Sequence, residues 1–126
     1  MAPFYSLICP QLKWTPDTLF LKTLQEKNAA EIKRLEEKIV DAEANLGETD
    51  VSNALIEKAQ YLAKIGDKEK SLTAYRLAFD KTGPLGGRID IVFSILRIGF
   101  FFDDGDVVFR NIDKAKSYNV FQNLIF

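Results

Sequence analysis

The chain has 126 residues, 47% hydrophobic and 28% charged, with a formal net charge of −1. That is enough for one domain with a real core, and the balance is that of an ordered globular chain. No basic excess points to nucleic acid or a membrane surface, no apolar run is long enough to span a bilayer, and the absence of histidine removes histidine acid–base catalysis, Ser-His and Cys-His pairs and ordinary zinc sites.

Residues 1–14 contain Pro3 and Pro10 and form an N-terminal strap, in which Phe4, Tyr5, Leu7, Ile8 and Trp14 are available to dock as a short helix or an irregular segment. No basic n-region precedes the apolar residues, so the stretch does not read as a typical signal peptide. Cys9 is the only cysteine, which excludes an internal disulfide and suits a reducing compartment. Thr15-Pro16-Asp17 reads as a helix start, with Thr15 as N-cap, Pro16 at the first helical position and Asp17 at the positive end of the dipole. The helical pattern runs to Leu46, with Gly47 as its stop. Leu21, Leu24, Ile32, Leu35, Ile39, Ala42 and Leu46 form its apolar stripe. The long step from Leu24 to Ile32, where Asn28 and Glu31 offer a second cap, leaves one helix or two open. Lys33, Arg34, Glu36, Glu37, Lys38 and Glu43 make the other face solvated. The stripe admits a coiled-coil partner, but so few heptads favour packing on the next hairpin of the same chain.

The stretch Asp50–Thr82 predicts two amphipathic helices meeting at Ile65-Gly66-Asp67. Gly66 suits a left-handed helix end and Asp67 the next N-cap. Leu55, Ala59 and Leu62 on the first helix, and Ser71, Tyr75 and Ala78 on the second, alternate large and small residues at helical steps, as two closely packed antiparallel helices require. Gly66-Asp67, Ser71, Tyr75 and Ala78 also stand at the offsets of a tetratricopeptide hairpin, although Leu55 replaces that pattern's tryptophan and its proline is displaced to Pro84.

Gly83-Pro84-Leu85-Gly86-Gly87 predicts a loop, and without a following Gly-Lys-Ser/Thr it is no phosphate cradle. Arg88–Phe102 is the most apolar segment and predicts a buried helix, with Gly99 allowing close approach of a neighbour. Asp103-Asp104-Gly105-Asp106 predicts a turn and lacks the carboxylate spacing of a calcium loop. A last helix is expected from Asp106 or Val107 to about Ser117. Ala59, Leu62, Gly66 and Asp67 can be aligned with Gly99, Phe102, Gly105 and Asp106, a repeat of about 40 residues. The uncharged end YNVFQNLIF, 118–126, has no cap of its own and is expected to stay unpacked as an aggregation-prone tail. The expected fold is all-α, helical hairpins stacked as a TPR-like right-handed solenoid. Catalytic residues, cofactors and metals are expected to be none.

Four stretches carry a resemblance: AEANLGETD (42–50), IGDKEKSLTAYR (65–76), GGRIDIVFSILRIGFFFDDGD (86–106) and RNIDKAKS (110–117). Over Trp14–Ser117 the chain resembles the N-terminal helical region of the PCI-containing, non-ATPase lid subunit family of the 26S proteasome regulatory particle. MAPFYSLICPQLKW resembles an internal stretch of the same family. The resemblance implies a TPR-like region over 15–117 and a non-catalytic scaffold in ubiquitin-dependent protein degradation. It also implies lid subunits and the ATPase base as partners, and a cytoplasmic and nuclear location. The family continues past Ser117 into a PCI module, where this sequence has YNVFQNLIF, so a truncated form without the PCI domain is expected. A scaffold of the COP9 signalosome or another PCI complex is the alternative.

Overall fold

The computed structural model describes residues 2–125, with side chains as far as Tyr118. Among the described residues all regular structure is helical, in six elements: α1 (Ala2–Gln11), α2 (Thr18–Asn45), α3 (Glu48–Ile65), α4 (Lys68–Lys81), α5 (Leu85–Phe101) and α6 (Gly105–Ile125).

The N-terminal strap is a helix; Pro10 near its end has no amide to donate to the preceding turn, and the helix stops one residue later. It buries Ala2 and Cys9. The Tyr5 hydroxyl accepts from the Asp17 amide at 3.1 Å, and its ring meets Phe20 edge-on at 5.9 Å. These contacts hold the α1–α2 corner.

Asp17, not Thr15, caps α2: its carboxylate accepts from the Phe20 amide at 3.0 Å. A charged acceptor satisfies the orphan amide and meets the positive end of the dipole at once, which a threonine hydroxyl does not. α2 then runs unbroken for 28 residues. Asn28 does not cap a second helix; its side-chain oxygen accepts from the Tyr61 hydroxyl at 3.1 Å, tying α2 to α3. α2 stops where expected, with Leu46 as its C-cap just before Gly47. The Gly47 backbone is extended and leads straight into α3, which therefore begins two residues before Asp50.

The α3–α4 turn has Gly66 at φ 84°. The Gly66 amide donates to Ala63 and the Asp67 amide to Leu62, both at 3.1 Å, which is the Schellman arrangement. The Asp67 carboxylate caps α4 through the Lys70 amide at 3.2 Å. After α4 the loop is shorter than Gly83–Gly87: α5 begins at Leu85, so Gly86 and Gly87 lie in its first turn. Pro84 is the boundary residue with φ −64°, a conformation that leads into a helix, and first-turn amides need no intrahelical acceptor.

The last turn also differs from the expectation. α6 starts at Gly105, and Asp104 precedes it with its carboxylate accepting from the Val107 amide at 3.2 Å. Asp103 before it is left-handed, at φ 52°. The pair equivalent to Gly66-Asp67 is therefore Asp103-Asp104, not Gly105-Asp106, and the repeat measures 37 residues from one capping aspartate to the next. With that register, buried Leu55, Ala59 and Leu62 match buried Val92, Leu96 and Gly99. The backbone of α6 continues as helix to Ile125, past Ser117. The expected packing of the tail concerns side chains from 119 onward, which lie outside the described residues.

Each helix from α2 to α6 packs on the next, and α1 rests on α2 and α3. The main core gathers Leu55 and Ala59 from α3, Leu72, Tyr75 and Ala78 from α4, Ile91, Ile95 and Ile98 from α5, and Val107 from α6. A second cluster joins Val92 and Leu96 to Val108. Full burial of each large aliphatic side chain contributes about 1.5–3 kcal/mol, so these faces dominate the stability of the stack. Leu35 and Ala42 of the α2 stripe are buried, and α2 packs on α3 of the same chain rather than standing free as a coiled-coil seam.

Candidate functional site

The predicted packing positions occupy one interior seam. Leu55, Ala59, Leu62, Ser71, Tyr75 and Ala78 are all buried between α3 and its neighbours. The Ser71 hydroxyl donates to the Lys68 carbonyl at 2.8 Å, so its polar atom is satisfied without leaving the seam. Gly66 lies directly under α1: a Cβ built there would sit 2.6 Å from the Phe4 Cβ. Gly99 lets α6 approach α5, since an added Cβ would stand 2.9 Å from Val108 Cγ2 and 3.1 Å from Val107 Cγ1. Asp67 and Phe102 are half-buried at the two turns. Phe102 meets Phe101 edge-on at 5.0 Å. Gly66 and Gly99 are thus the two points where a side chain would push neighbouring helices apart.

Polar ties that the sequence reading did not single out hold the helices in register. The buried Thr82 hydroxyl donates to the Ala78 carbonyl at 2.7 Å and therefore accepts from the Ser52 hydroxyl, also at 2.7 Å. Arg88 Nε donates to the Thr82 carbonyl at 2.6 Å, so one threonine joins α3, α4 and α5. Its signal was faint: a threonine just before Gly83-Pro84 reads equally well as a loop residue. Lys68 reaches Asp104 at 2.6 Å and links the two hairpin turns. That ion pair and the Val107 amide hold the Asp104 carboxyl below its ordinary range. Across α2 and α3, Glu57 pairs with Lys38 and Arg34, and Glu36 with Lys58 at 2.9 Å. Both carboxyls are held low by these hydrogen bonds, Glu57 chiefly by Lys38 and Glu36 by Lys58. Part of the face assigned to solvent is thus spent on the α2–α3 seam. The pairs are far apart in sequence, and only the fold brings them together.

Two outer features remain. The first is a trough of about 600 Å³ that lies over α3 between α2 and α4. Its floor is Leu55 and Leu62, one wall is Ile32, Ile39 and Val40, and Leu77 stands on the other. Val40 and Leu77 are exposed. The second is a set of exposed aromatics on the last hairpin, Phe93, Phe100, Phe101 and Phe109, of which Phe101 also meets Phe4 of α1 at 5.3 Å. Among the described residues no group of three or more His, Cys, Asp or Glu side chains converges as a metal site, and no helix is long and apolar enough to cross a membrane.

Among the described residues the fold is all-helical, successive helices pack on one another, and the outer surface carries a trough and exposed aromatics. The family model described as 26S proteasome subunit RPN7 matches residues 17–122, and the chain belongs to that family. It is 42% identical over 117 residues to the 26S proteasome non-ATPase regulatory subunit 6 of Dictyostelium discoideum, covering 93% of this chain and 31% of the relative. The protein of the same name from Caenorhabditis elegans is 40% identical over 116 residues, covering 92% and 28%. The 26S proteasome regulatory subunit RPN7 of Saccharomyces cerevisiae is 28% identical over 138 residues, covering 93% and 32%. The chain thus spans about a third of the length of the curated relatives it matches.

Proposed function

We propose that the chain is a non-catalytic, protein-binding scaffold of the 26S proteasome regulatory particle lid, acting in ubiquitin-dependent protein degradation. The family match over residues 17–122 carries this reading. The relatives are named as regulatory, non-ATPase subunits, which supports a role in assembly rather than chemistry. Its partners are other lid subunits and the ATPase base, and its location is the cytoplasm and nucleus. The hairpins stack as a TPR-like right-handed solenoid over 15–117, an arrangement that offers extended surfaces to other proteins. Leu55, Ala59, Leu62, Gly66, Asp67, Ser71, Tyr75, Ala78, Gly99 and Phe102 serve it by setting the helix spacing.

A tagged chain expressed in cells and isolated under mild conditions tests the reading. Lid subunits are expected in the recovered material. Recovery of signalosome subunits in their place, or of no PCI-complex subunit, overturns it.

A further inference from the structure

The trough over α3 is built for a particular kind of occupant. Its walls are helices whose backbone groups are internally paired, so it offers no sheet edge for an extended peptide to join. An occupant must bring its own satisfied backbone and an apolar stripe, which is what an amphipathic helix does.

The charges set the rest. Both lysines at the trough have carboxylate neighbours already: Lys58 pairs with Glu36 at 2.9 Å, and Lys70 stands 3.8 Å from Asp67. Glu43 on the α2 wall and Glu69 on the α4 wall have no ion-pair partner among the described residues. Register puts these two at opposite ends. The Glu36–Lys58 pair aligns α2 with α3, and the Ser52–Thr82 hydrogen bond aligns α4 with α3. Glu43 then lies level with the start of α3, and Glu69 level with its last turn. Their levels are roughly 20 Å apart along the helix axis, or about four turns.

We propose that this trough seats an amphipathic helix of a partner protein, about four turns long, with an aliphatic stripe toward Leu55 and Leu62 and a lysine or arginine near each end. The cations meet Glu43 and Glu69 on a diagonal, which fixes the line of the helix axis across the trough. Their stems cover the apolar rim at Val40 and Leu77. This inference rests on the scaffold reading and names the partner chemistry of one of its surfaces.

The test uses the full chain and three fluorescent synthetic helices of about 18 residues. One carries a leucine stripe with lysines at both ends, the second the same stripe with glutamates there, and the third serines in place of the leucines. The lysine-flanked helix is expected to saturate the chain in an anisotropy titration and to weaken in about 0.5 M salt. The other two are expected not to saturate it. Glu43→Lys with Glu69→Lys is expected to weaken the lysine-flanked helix about fivefold to tenfold and to admit the glutamate-flanked one. Both positions are exposed, so the fold should hold with only a small drop in thermal midpoint from the lysine in the first turn of α4, which the melt reads separately from binding. Leu77→Asp should abolish binding of every helix. No saturation by the lysine-flanked helix, indifference to the charge reversals, or a dimer of the chain that Leu77→Asp dissociates would each overturn the proposal. Co-purification separates the two levels. If no synthetic helix binds while lid subunits are still recovered, the trough assignment falls and the scaffold reading stands.

Discussion

At the α3–α4 turn a left-handed glycine, Gly66, precedes a capping aspartate, Asp67; at the α5–α6 turn a left-handed aspartate, Asp103, precedes a capping Asp104. The two hairpins close by the same device 37 residues apart, yet their surroundings differ. The first is packed on one side by α2 and on the other by α5, and its Tyr75 is buried. The second shows four exposed phenylalanines, although α5 has the more apolar sequence. Composition therefore does not rank burial here; the number of neighbours a hairpin has does. Among the described residues the second hairpin packs on α4 and meets α1 through Phe101, whose ring lies 5.3 Å from Phe4, while Phe93, Phe100 and Phe109 stay outside.

The sharpest way to break this contrast is a pair of aromatic truncations. Tyr75, only 4% exposed, should cost about 3–5 kcal/mol on truncation to alanine. Phe109, 70% exposed, should change stability by no more than about 0.5 kcal/mol. Denaturant melts of Tyr75→Ala and Phe109→Ala read both. Equal losses would mean that the second hairpin is as enclosed as the first.

Next in size is the threonine that joins three helices. Thr82→Val keeps the shape but leaves the buried Ser52 hydroxyl without its acceptor, at about 1–3 kcal/mol. The paired change with Ser52→Ala should recover part of that loss, and a double-mutant cycle with no coupling would separate the two hydroxyls.

The turns come third, and their responses should differ in sign. Gly66→Ala places a Cβ at positive φ and against Phe4, and a destabilisation of about 1–2 kcal/mol is expected, together with loosening of α1 that hydrogen exchange detects. Asp103→Gly relieves a left-handed aspartate and should leave stability unchanged or raise it by up to about 1 kcal/mol. A loss of stability in the second case would show that the Asp103 side chain supports its turn.

The smallest effect is electrostatic. The Asp104 carboxyl has a lowered pKa, first through Lys68 and then through the Val107 amide. In the unfolded chain an aspartate titrates near 3.9. A depressed folded value means that the contribution is present above about pH 4 and is lost as pH falls through the folded value. Asp104→Asn should therefore lower the melting midpoint at neutral pH and converge on the unsubstituted protein as the pH drops below about 4. A gap that persists unchanged in acid would assign the effect to packing rather than to charge.

The sequence by itself determined the helical class, the central hairpin and its turn. Steps of three and four at Leu55, Ala59, Leu62, Ser71, Tyr75 and Ala78, with Gly66-Asp67 between them, are local signals that the backbone obeys wherever the rest of the chain lies. Family membership was legible too, in motifs contiguous along the chain. Boundaries were less so. Asp17 displaced Thr15 as cap and Asp104 displaced Gly105-Asp106 in the alignment, because cap chemistry competes between neighbours separated by a residue or two, while Gly86 and Gly87 joined a helix that starts after Pro84 with no side-chain cap. Only the tertiary structure decided the rest: the docking of Phe4 on Gly66, the Ser52–Thr82–Arg88 and Lys68–Asp104 ties, and the trough over α3. The ties join residues 6 to 62 positions apart, and periodicity within one helix carries no information about which side chain another helix sets opposite it.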